Sequence, residues 1–420
     1  MKLSYAKTFV CTLCHQTYDY SLNLMTCPKC GEKGILDITY DYQAMKKTVN
    51  RSYFKNNQDY SMWRYAPIMS IESIPNAPLR VGWTPLYQSN RLNHLIGLDK
   101  LYLKDEGMNP TQSLKDRASA VAVQKAIEAN ASVIACSSTG NAASSLAGNS
   151  ARLGLKTYIF VPSRVPKGKL SQLLVYGANV IKVEGDYKAA FYLSKKAIDH
   201  FGWYNRNAAI NPHLVEGKKT VALEIAEQLG FNPPDWVGVS VGDGCTIAAV
   251  YKGFYDLFQL NLIPKIPKIL GVQAEGCSPF YHAWLNHSMT LEEAEELTIA
   301  DSIAVGIPRN PVKALNAVNQ TNGSWVTVTD EQILQAMALL GRSEGIFGEP
   351  AGVTALAGVM KALERQIIKG NESVAVIITG NGLKDTDNAL KAVKEPKTIK
   401  PDLKSFIETM NNIEEEDNYE

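Results

Sequence analysis

The sequence predicts an α/β protein with two lobes, each built from a mostly parallel sheet covered by helices on both faces. From about residue 100 to residue 380, short runs rich in β-branched residues alternate with amphipathic helical windows. Strict alternation of strands and helices is typical of βαβ units, whose parallel strands are buried on both faces. The alternation comes in two runs, which predicts two three-layer α/β/α lobes with a cleft between them.

The predicted elements follow this alternation in order. In the first run the strands are LYLK, SVIACS, TYIFVP and VIKVEG, and the helices span 116–128, 141–153, 167–176 and 187–200. In the second run the strands are WVGVSVG, KILGVQA and SVAVIITG, and the helices span 246–260, 330–342 and 351–366. Residues 40–78 are aromatic and polar, which favours a connecting segment that wraps around the lobes. The acidic segment 401–420 is expected to be a solvated tail.

The composition excludes several classes of protein. The 420 residues are 45% hydrophobic and 20% charged, which gives enough apolar mass for a sizeable core and excludes a disordered or fibrous chain. Lys and Arg total 43 against 42 Asp and Glu, so a net charge of +1 offers no overall field to hold nucleic acid or an anionic membrane. Without an apolar run of about eighteen residues or a leader-like start, we expect a cytoplasmic protein that binds neither nucleic acid nor membrane.

Four of the seven cysteines form two CxxC pairs near the start of the chain, and they are Cys11, Cys14, Cys27 and Cys30. Two such pairs suit a tetrahedral zinc ion, because each turn presents two thiolates on one side. Gly31 supplies the left-handed conformation that such turns favour. Four thiolates leave no open position on the metal. The sequence therefore predicts structural zinc in a zinc-ribbon-like module over residues 1–45, with a redox role as the alternative.

Lys115 lies where a loop of small and turn-forming residues meets a helix, within KDEGMNPTQSLKDRASA. An amine held there with little rotamer freedom suits attachment to a carbonyl carbon, as in a Schiff base with pyridoxal phosphate. The alternative is an ordinary charged first turn of a helix. Three further segments favour the catalytic interpretation.

Each of these three segments follows a predicted strand. The first precedes a helix whose free N–H groups suit a carboxylate, and it comprises Ser137, Ser138, Thr139 and Gly140. In the second, residues 242–246, glycines let backbone N–H groups close around a phosphate. The third places Thr379 at the end of the last strong strand, where open α/β sheets bind their ligands.

Together, the motifs resemble those of a known family. GWTPL, DEGMNPTQSLKDR, SSTGNAA, NPHLVEGKKT, SEGIFGEPAGVTALAG and TGNGLKD, in this order over roughly residues 80–395, are similar to the threonine synthases. These are fold-type II pyridoxal-phosphate enzymes of the tryptophan synthase beta-like superfamily. The resemblance implies a large cofactor-binding domain over 46–117 and 206–400, a small mobile domain over 118–205, a homodimer and a small amino-acid substrate.

The resemblance also implies roles for individual residues. Lys115 would carry the cofactor and then remove the substrate's Cα proton, and Asn141 would face the cofactor's 3′-oxygen. Thr379 would meet the pyridine nitrogen, and a hydroxyl there favours elimination or replacement over transamination, because it does not keep that nitrogen protonated. The cofactor phosphate would lie in a cup formed by Gly242, Asp243, Gly244, Cys245 and Thr246.

Three positions depart from the family pattern. Ala142, Ala209 and Leu214 stand where threonine synthases tend to carry a threonine, a serine and an arginine that hold the substrate's phosphate. Their absence predicts poor use of O-phosphohomoserine. A serine or threonine dehydratase, a β-replacement synthase such as a cysteate synthase, and a non-enzymatic zinc-ribbon scaffold are the alternatives. Five nearby cations could replace the lost phosphate contacts, and the alternative is that they lie on a solvated face. They are Arg164, Lys167, Lys169, Lys218 and Lys219.

Overall fold

Three β-sheets organise the chain. The computed structural model describes residues 3–21, 24–163 and 167–417, without the side chains of 167–169 and 411–417. The strands are β1 (Ala6–Cys11), β2 (Thr17–Asp19), β3 (Thr26–Cys27), β4 (Gly31–Tyr40), β5 (Leu86–Gln88), β6 (Lys100–Asp105), β7 (Val133–Ser137), β8 (Lys156–Pro162), β9 (Asn179–Val183), β10 (Tyr204–Asn205), β11 (Trp236–Ser240), β12 (Lys268–Ala274), β13 (Ser324–Val328) and β14 (Ser373–Ile378).

The helices cover both larger sheets. They are α1 (Tyr42–Met45), α2 (Arg51–Asn56), α3 (Leu92–Leu95), α4 (Lys115–Glu128), α5 (Asn141–Leu153), α6 (Lys167–Val175), α7 (Tyr187–Phe201), α8 (His213–Lys218), α9 (Thr220–Gln228), α10 (Cys245–Gln259), α11 (Pro279–Leu285), α12 (Pro311–Asn319), α13 (Asp330–Glu344), α14 (Pro350–Glu364), α15 (Thr386–Lys391) and α16 (Leu403–Asp417). Short 3₁₀ turns span Met62–Ile68, Glu106–Met108, Asp301–Ile303 and Gly382–Lys384. None of the described helices is long and apolar enough to cross a membrane.

The sheets differ in strand direction. The N-terminal sheet is antiparallel, with the order β2-β1-β4-β3. The small-lobe sheet is parallel, with the order β10-β7-β8-β9. The large-lobe sheet has the order β13-β12-β11-β14-β6-β5, and its edge strand β5 runs antiparallel to β6. The predicted α/β class is thus confirmed, whereas the domain limits stay a prediction.

The large-lobe sheet is buried on both faces, as β14 illustrates. Val374, Val376 and Ile378 pack into the apolar core under α13 and α14. Ala375 and Ile377 point the other way, into the core formed with α9, α10 and α12. Because successive strand residues face opposite sides of a sheet, a continuous apolar run such as SVAVII fits this doubly covered position.

All seven predicted helices form within two residues of their predicted ends, while α8, α9 and β13 are among the elements that were not predicted. In α8 and α9 the charged side chains of Glu216, Lys219 and Glu224 are buried. A helix without a polar face lacks the amphipathic period by which helices are recognised. Buried ion pairs thus concealed these two helices.

The C-terminal segment differs from the solvated tail expected for residues 401–420, because α16 forms over Leu403–Asp417. Its start is capped by Asp402, whose carboxylate accepts from the backbone N–H of Ser405 at 2.8 Å. The side chains described up to residue 410 are mostly exposed. The segment is therefore solvated but helical, and Asp402 stabilises its first turn.

The N-terminal sheet packs directly against the large lobe. The Tyr40 hydroxyl donates to Glu216 of α8, and Lys252 of α10 pairs with Asp37 at 3.1 Å. Ile35 shares a small apolar cluster with Ala209 and Cys245. The strands that carry the cysteines are therefore continuous with the core around α8 and α10.

Glycines bring α8 close to its two neighbouring helices. At Gly217 the backbones of α8 and α4 touch, and a Cβ there would overlap the carbonyl oxygen of Arg117. On the other side, a Cβ at Gly253 of α10 would meet the carbonyl oxygen of Lys219 at 2.5 Å. Helix α8 is therefore wedged between α4 and α10.

We predict that Gly217→Ala lowers the free energy of unfolding by about 1–3 kcal/mol, because the added methyl must push α8 away from α4. Gly341→Ala is the matched control, since Gly341 lies in α13 with nothing within 4 Å of its Cβ position. There alanine should stabilise by about 0.5–1 kcal/mol, as in other exposed helix interiors. Urea unfolding midpoints of both variants test this. A Gly217→Ala protein as stable as Gly341→Ala would contradict the close packing of α8.

Candidate active site

Lys115 is the first residue of α4 and lies at the end of β14. The N–H of Leu114 donates to the carbonyl of Thr379 at 2.9 Å, and a β-bridge pairs Ser113 with Gly380. The start of α4 is thus fastened to the large-lobe sheet, while the rest of α4 packs against α5 and β7 of the small lobe. The half-buried Lys115 amine makes no hydrogen bond to any described residue.

Asp116, the next residue, is held by three buried groups. Its carboxylate accepts from the Thr111 N–H at 2.8 Å, from the Thr111 hydroxyl at 3.0 Å and from Asn149 Nδ2 at 2.8 Å. Burial raises the pKa of Asp116 to about 6 in spite of these bonds. The bonds tie the loop before Lys115 to α5.

Arg117 is fully buried between two carboxylates. Its guanidinium donates to Glu106 at 2.6 and 2.7 Å and to Glu224 at 2.6 and 2.7 Å. Lys104 reaches the same Glu224 at 2.8 Å. Both neighbours of Lys115 on its C-terminal side are therefore held by buried partners, whereas the Lys115 amine has no hydrogen-bond partner among the described residues.

The predicted carboxylate loop lies at the carboxyl end of β7. The N–H of Ser137 donates to Asn207 Oδ1 at 2.8 Å, and the N–H of Gly140 donates to Ser138 Oγ at 3.2 Å. Ser138, Thr139 and Gly140 are half-buried. The N-cap Gly140 has no side chain to cap the thirteen-residue α5, so the first N–H groups of this helix face the loop without a side-chain acceptor from the cap.

The predicted phosphate cup, residues 242–246, lies at the carboxyl end of β11. Gly244 has φ +82° and, as N-cap of α10, offers no side chain to its N–H groups. A Cβ at Gly242 would meet the Cα of Ile303 at 2.9 Å, so only glycine fits there. The carboxylate of Asp243 accepts from the backbone N–H of Arg309 at 3.3 Å. That bond gives the Asp243 carboxylate a backbone donor from outside the cup.

Glu349 joins the site and was not predicted. It is buried as N-cap of α14, and its Oε1 accepts from Asn141 Nδ2 at 2.7 Å. Burial raises its pKa, which the positive charge of Lys115 opposes. The signal available in the sequence was the Glu-Pro pair at the start of a predicted helix, since proline favours the first helical position.

Contacts across the cleft join the two lobes. Besides the bond between Asn141 and Glu349, Lys384 donates to Ser144 Oγ at 3.1 Å, and the Arg309 guanidinium lies 3.8 Å from the ring centroid of Phe191. The site is therefore enclosed by both lobes.

The Lys115 amine is electrostatically perturbed. Burial lowers its pKa to about 8, the positive charges of Lys218 and Arg206 act in the same direction, and Glu349 opposes them. An amine with this pKa is partly neutral near pH 7 to 8 and is therefore a better nucleophile and base than an ordinary lysine.

Four buried polar atoms without a hydrogen-bond partner in the described structure surround these loops. They are Ser113 Oγ, Ser137 Oγ, Asn207 Nδ2 and Asn310 Nδ2. A buried polar group left unsatisfied costs about 1–3 kcal/mol. Their concentration beside Lys115, the carboxylate loop and the cup indicates a site shaped for a polar ligand.

The other cations and cysteines that were considered near the site from the sequence are either buried or lie outside the described residues. Lys219 is fully buried in ion pairs with Glu216 and Asp256, so it is not available to a ligand. Cys136 and Cys245 are buried, and burial raises the pKa of both thiols, that of Cys136 to about 11. Arg164 and the side chains of Lys167 and Lys169 lie outside the described residues.

Comparison with known proteins identifies the family. A family model described as pyridoxal-phosphate dependent enzyme matches residues 78–380. The chain belongs to this family. The threonine synthase of Methanocaldococcus jannaschii is 40% identical over 396 residues, which is 94% of this chain and 96% of that protein. The threonine synthase of Methanosarcina acetivorans is 37% identical over 403 residues, 95% of this chain and 98% of that protein.

The fold is shared more widely within the pyridoxal-phosphate enzymes. The structure of diaminopropionate ammonia lyase from Escherichia coli covers 82% of this chain and 92% of its own, with a TM-score of 0.65 and 19% identity. The predicted resemblance to threonine synthases is confirmed. The protein is a threonine-synthase-like, pyridoxal-phosphate-dependent lyase.

We predict opposite shifts in Lys115 reactivity when either of two of its charged neighbours, Lys218 and Glu349, is neutralised. Pyridoxal, which lacks the phosphate, should react with Lys115 of the apoprotein at a rate that rises with pH around a midpoint near 8. Lys218→Gln removes a like charge and should move this midpoint to higher pH, whereas Glu349→Gln removes an opposite charge and should move it to lower pH.

The measurement is the pH dependence of the initial rate, with the modified peptide mapped to Lys115. Glu349→Gln keeps an amide oxygen that accepts from Asn141, so the change is mainly one of charge. Shifts of the same sign in both variants would contradict this account of the lysine's environment.

Proposed function

We propose that Lys115 binds pyridoxal phosphate, and that the same lysine removes the Cα proton of an amino-acid substrate once its amine is released. The observation that carries this proposal is the half-buried amine of Lys115, which has a lowered pKa and no described hydrogen-bond partner, on a helix start fixed from both sides. A general base works best with a pKa near the working pH.

The chain's own residues fit the cofactor. The uncapped N–H groups of the fifteen-residue α10 and the glycine backbone of residues 242–246 suit its phosphate. Asn141 and the hydroxyl of Thr379 lie at the ends of the elements that meet beside Lys115 and suit the ring oxygen and ring nitrogen. When bound, the cofactor supplies an electron sink that makes the Cα proton acidic.

The remaining groups would bind and orient the amino acid. The loop of residues 137–140 and the start of α5 would hold its carboxylate. The enclosing lobes would exclude water while Lys115 holds the abstracted proton. We propose that this proton then assists departure of a group further along the substrate side chain, which gives elimination or replacement.

The position of Leu214 bears on the choice of substrate. Its side chain is buried in the apolar core of the small lobe, together with Ala118, Ala122 and Ile134. Arginine at this position would bury an unpaired charge among apolar groups.

The homodimer and the cytoplasmic location implied by the sequence stay predictions.

We predict that borohydride reduction of the holoenzyme fixes the cofactor on Lys115, because this amine is neutral enough to react and is placed at the cup. Peptide mapping of the reduced protein measures the position. Lys115→Ala should lower turnover by at least about 10²–10⁴-fold, the usual contribution of a general base.

Lys268→Ala is the control for loss of a lysine, since Lys268 pairs with Glu372 at the opposite end of the large-lobe sheet.

A panel of amino acids and their O-phosphates, assayed for phosphate, ammonia and keto acid, separates a threonine synthase from a dehydratase. A reduced cofactor mapped to any other lysine would disprove the site assignment.

We also propose that Cys11, Cys14, Cys27 and Cys30 bind one structural zinc ion. Their four sulfur atoms lie within 4.8 Å of one another, and Cys14 Sγ and Cys27 Sγ are 3.8 Å apart. Sulfur atoms around a tetrahedral zinc with bonds of about 2.3 Å are separated by about 3.8 Å. Gly31 has the expected left-handed conformation, with φ +63°.

We predict one zinc per chain in protein purified without chelator and none after the double change Cys11→Ala with Cys27→Ala. Because metal binding contributes folding energy to such small sheets, the double variant should also have a lower Tm. Cys277→Ala, a buried cysteine outside the cluster, is the control and should retain the metal. Metal analysis that finds no zinc in the wild type, or full retention in the double variant, would contradict the assignment.

A further inference from the structure

The segment just before α12 lies against the phosphate cup. The N–H groups of Arg309 and Asn310 donate to the carboxylate and to the carbonyl of Asp243, at 3.3 and 3.2 Å. A Cβ at Gly244 would meet the carbonyl oxygen of Asn310 at 2.9 Å. Asn310 is 1% exposed, and its Nδ2 has no hydrogen-bond partner in the described structure. The backbone of Arg309 and Asn310 is therefore tied to the cup, and an unsatisfied donor lies beside the anion site.

The side chain of Arg309 extends to the small lobe. Its guanidinium lies 3.8 Å from the ring centroid of Phe191 in α7, and Phe191 is 7% exposed. A cation–π contact is stronger over such a buried ring, because less water competes for the charge. One helical turn earlier, the ring of Tyr187 lies 6.4 Å from that of Phe191. The hydroxyl of Tyr187 donates to the carbonyl of Ser137, in the carboxylate loop, at 3.5 Å.

These contacts connect the two predicted anion sites of the cleft, which belong to different lobes. The cup follows β11 of the large-lobe sheet, and the carboxylate loop follows β7 of the small-lobe sheet. A continuous series of packed and hydrogen-bonded side chains can carry energetic coupling between two sites. Here the series crosses from one lobe to the other at the contact between Arg309 and Phe191.

Other contacts between the lobes differ from this one. Asn141 and Lys384 hold α5 to the large lobe, not α7. Lys188 of α7 pairs with Glu293 at 3.4 Å, but both side chains are about two-thirds exposed. An ion pair between exposed side chains contributes little, since water and salt screen it. Among the described contacts of α7, the one with Arg309 is therefore suited to transmit a change from the cup.

We propose that Arg309 is a positioning residue that couples the two anion sites. A phosphate in the cup holds the backbone of Arg309, whose side chain then holds α7 and the carboxylate loop where the substrate binds. Arg309 acts through α7 and not by contact with either ligand. The proposal rests on the proposed function, because the two anions are the cofactor's phosphate and the amino acid's carboxylate. Coupling is reciprocal, so a bound carboxylate should strengthen cofactor binding by the same factor.

Hydrogen exchange of apoprotein and holoenzyme, followed by mass spectrometry, measures this coupling without turnover. In wild type the cofactor should slow exchange of the amides of both α5 and α7. In Arg309→Met the slowing in α7 should be about threefold to thirtyfold smaller, the range expected for a lost cation–π contact. The slowing in α5 should remain, because Asn141 and Lys384 still hold that helix. Unchanged slowing of α7 in Arg309→Met would overturn the proposal.

Matched variants separate the contact from a general loss of structure. Phe191→Leu removes the ring and should behave as Arg309→Met, whereas Phe191→Tyr and Arg309→Lys keep a ring and a cation and should retain most of the effect. Lys188→Gln removes an exposed cation of the same helix and should match wild type. The double variant Arg309→Met with Phe191→Leu should show no further loss, because both changes remove one contact. Additive losses would overturn the proposal.

Binding of L-alanine to the holoenzyme measures the effect on the carboxylate site. Alanine has an amine and a carboxylate but no side-chain group to lose, so the change in cofactor absorbance reports binding alone. Its dissociation constant should rise about threefold to thirtyfold in Arg309→Met and in Phe191→Leu, and should return towards the wild-type value in Arg309→Lys. An unchanged dissociation constant in Arg309→Met would contradict the coupling.

Borohydride mapping on the same samples tests the proposed function separately. A cofactor fixed on a lysine other than Lys115 would disprove that function. A cofactor on Lys115, together with unchanged alanine binding in Arg309→Met, would overturn the coupling and leave the proposed function intact.

Discussion

The geometry of the active site depends on the buried ion pairs of Arg117. This residue lies two positions after Lys115 and binds Glu106, next to the end of β6, and Glu224 of α9. Burial alone would raise the pKa of Glu224, but Arg117 and Lys104 lower it to about 2, so the carboxylate is ionised at neutral pH. Breaking one side of such a buried pair costs about 3–5 kcal/mol, because the other charge is left uncompensated. The first turn of α4 is thus fixed to both the sheet and a helix of the large lobe, and the lysine starts from a rigid backbone.

A second chain of contacts leads from the cysteine cluster to the same site. A Cβ at Gly34 would meet Cys27 Cβ at 2.5 Å, so the strand β4 passes close to the cysteines. One residue further, Ile35 contacts Ala209 and Cys245 of the cup. The ring of Phe9 in β1 lies 5.9 Å from that of His213, the first residue of α8. The N-terminal sheet therefore packs against the cup and against the start of α8.

Sequence patterns predicted the elements that have a typical composition and length. The helix over 141–153 and the strand KILGVQA have the predicted bounds, and a short, mostly apolar run such as KILGVQA is typical of a strand that is buried on both faces. The patterns failed where charged side chains are buried in the protein interior, as in α8 and α9. The sequence alone does not distinguish a buried glutamate such as Glu224 from a glutamate on the surface. Lys115 and Thr379 were singled out because loops at strand ends are visible in sequence. Glu349 and Arg206 were not, because their importance arises from partners distant in the chain.

The distribution of charge separates the scaffold from the site. In the scaffold, cations such as Arg64 and Lys219 are matched by Glu227 and by Glu216 with Asp256, so those charges are internally compensated. Among the described residues around Lys115, Glu349 is the carboxylate that acts most strongly on the amine, and burial raises its own pKa. The site thus has excess positive charge in a protein whose net charge is only +1. Because low-dielectric surroundings strengthen this local field, the cleft favours ligands with several negative charges over neutral ones. The phosphorylated cofactor satisfies that requirement, because its phosphate is a dianion.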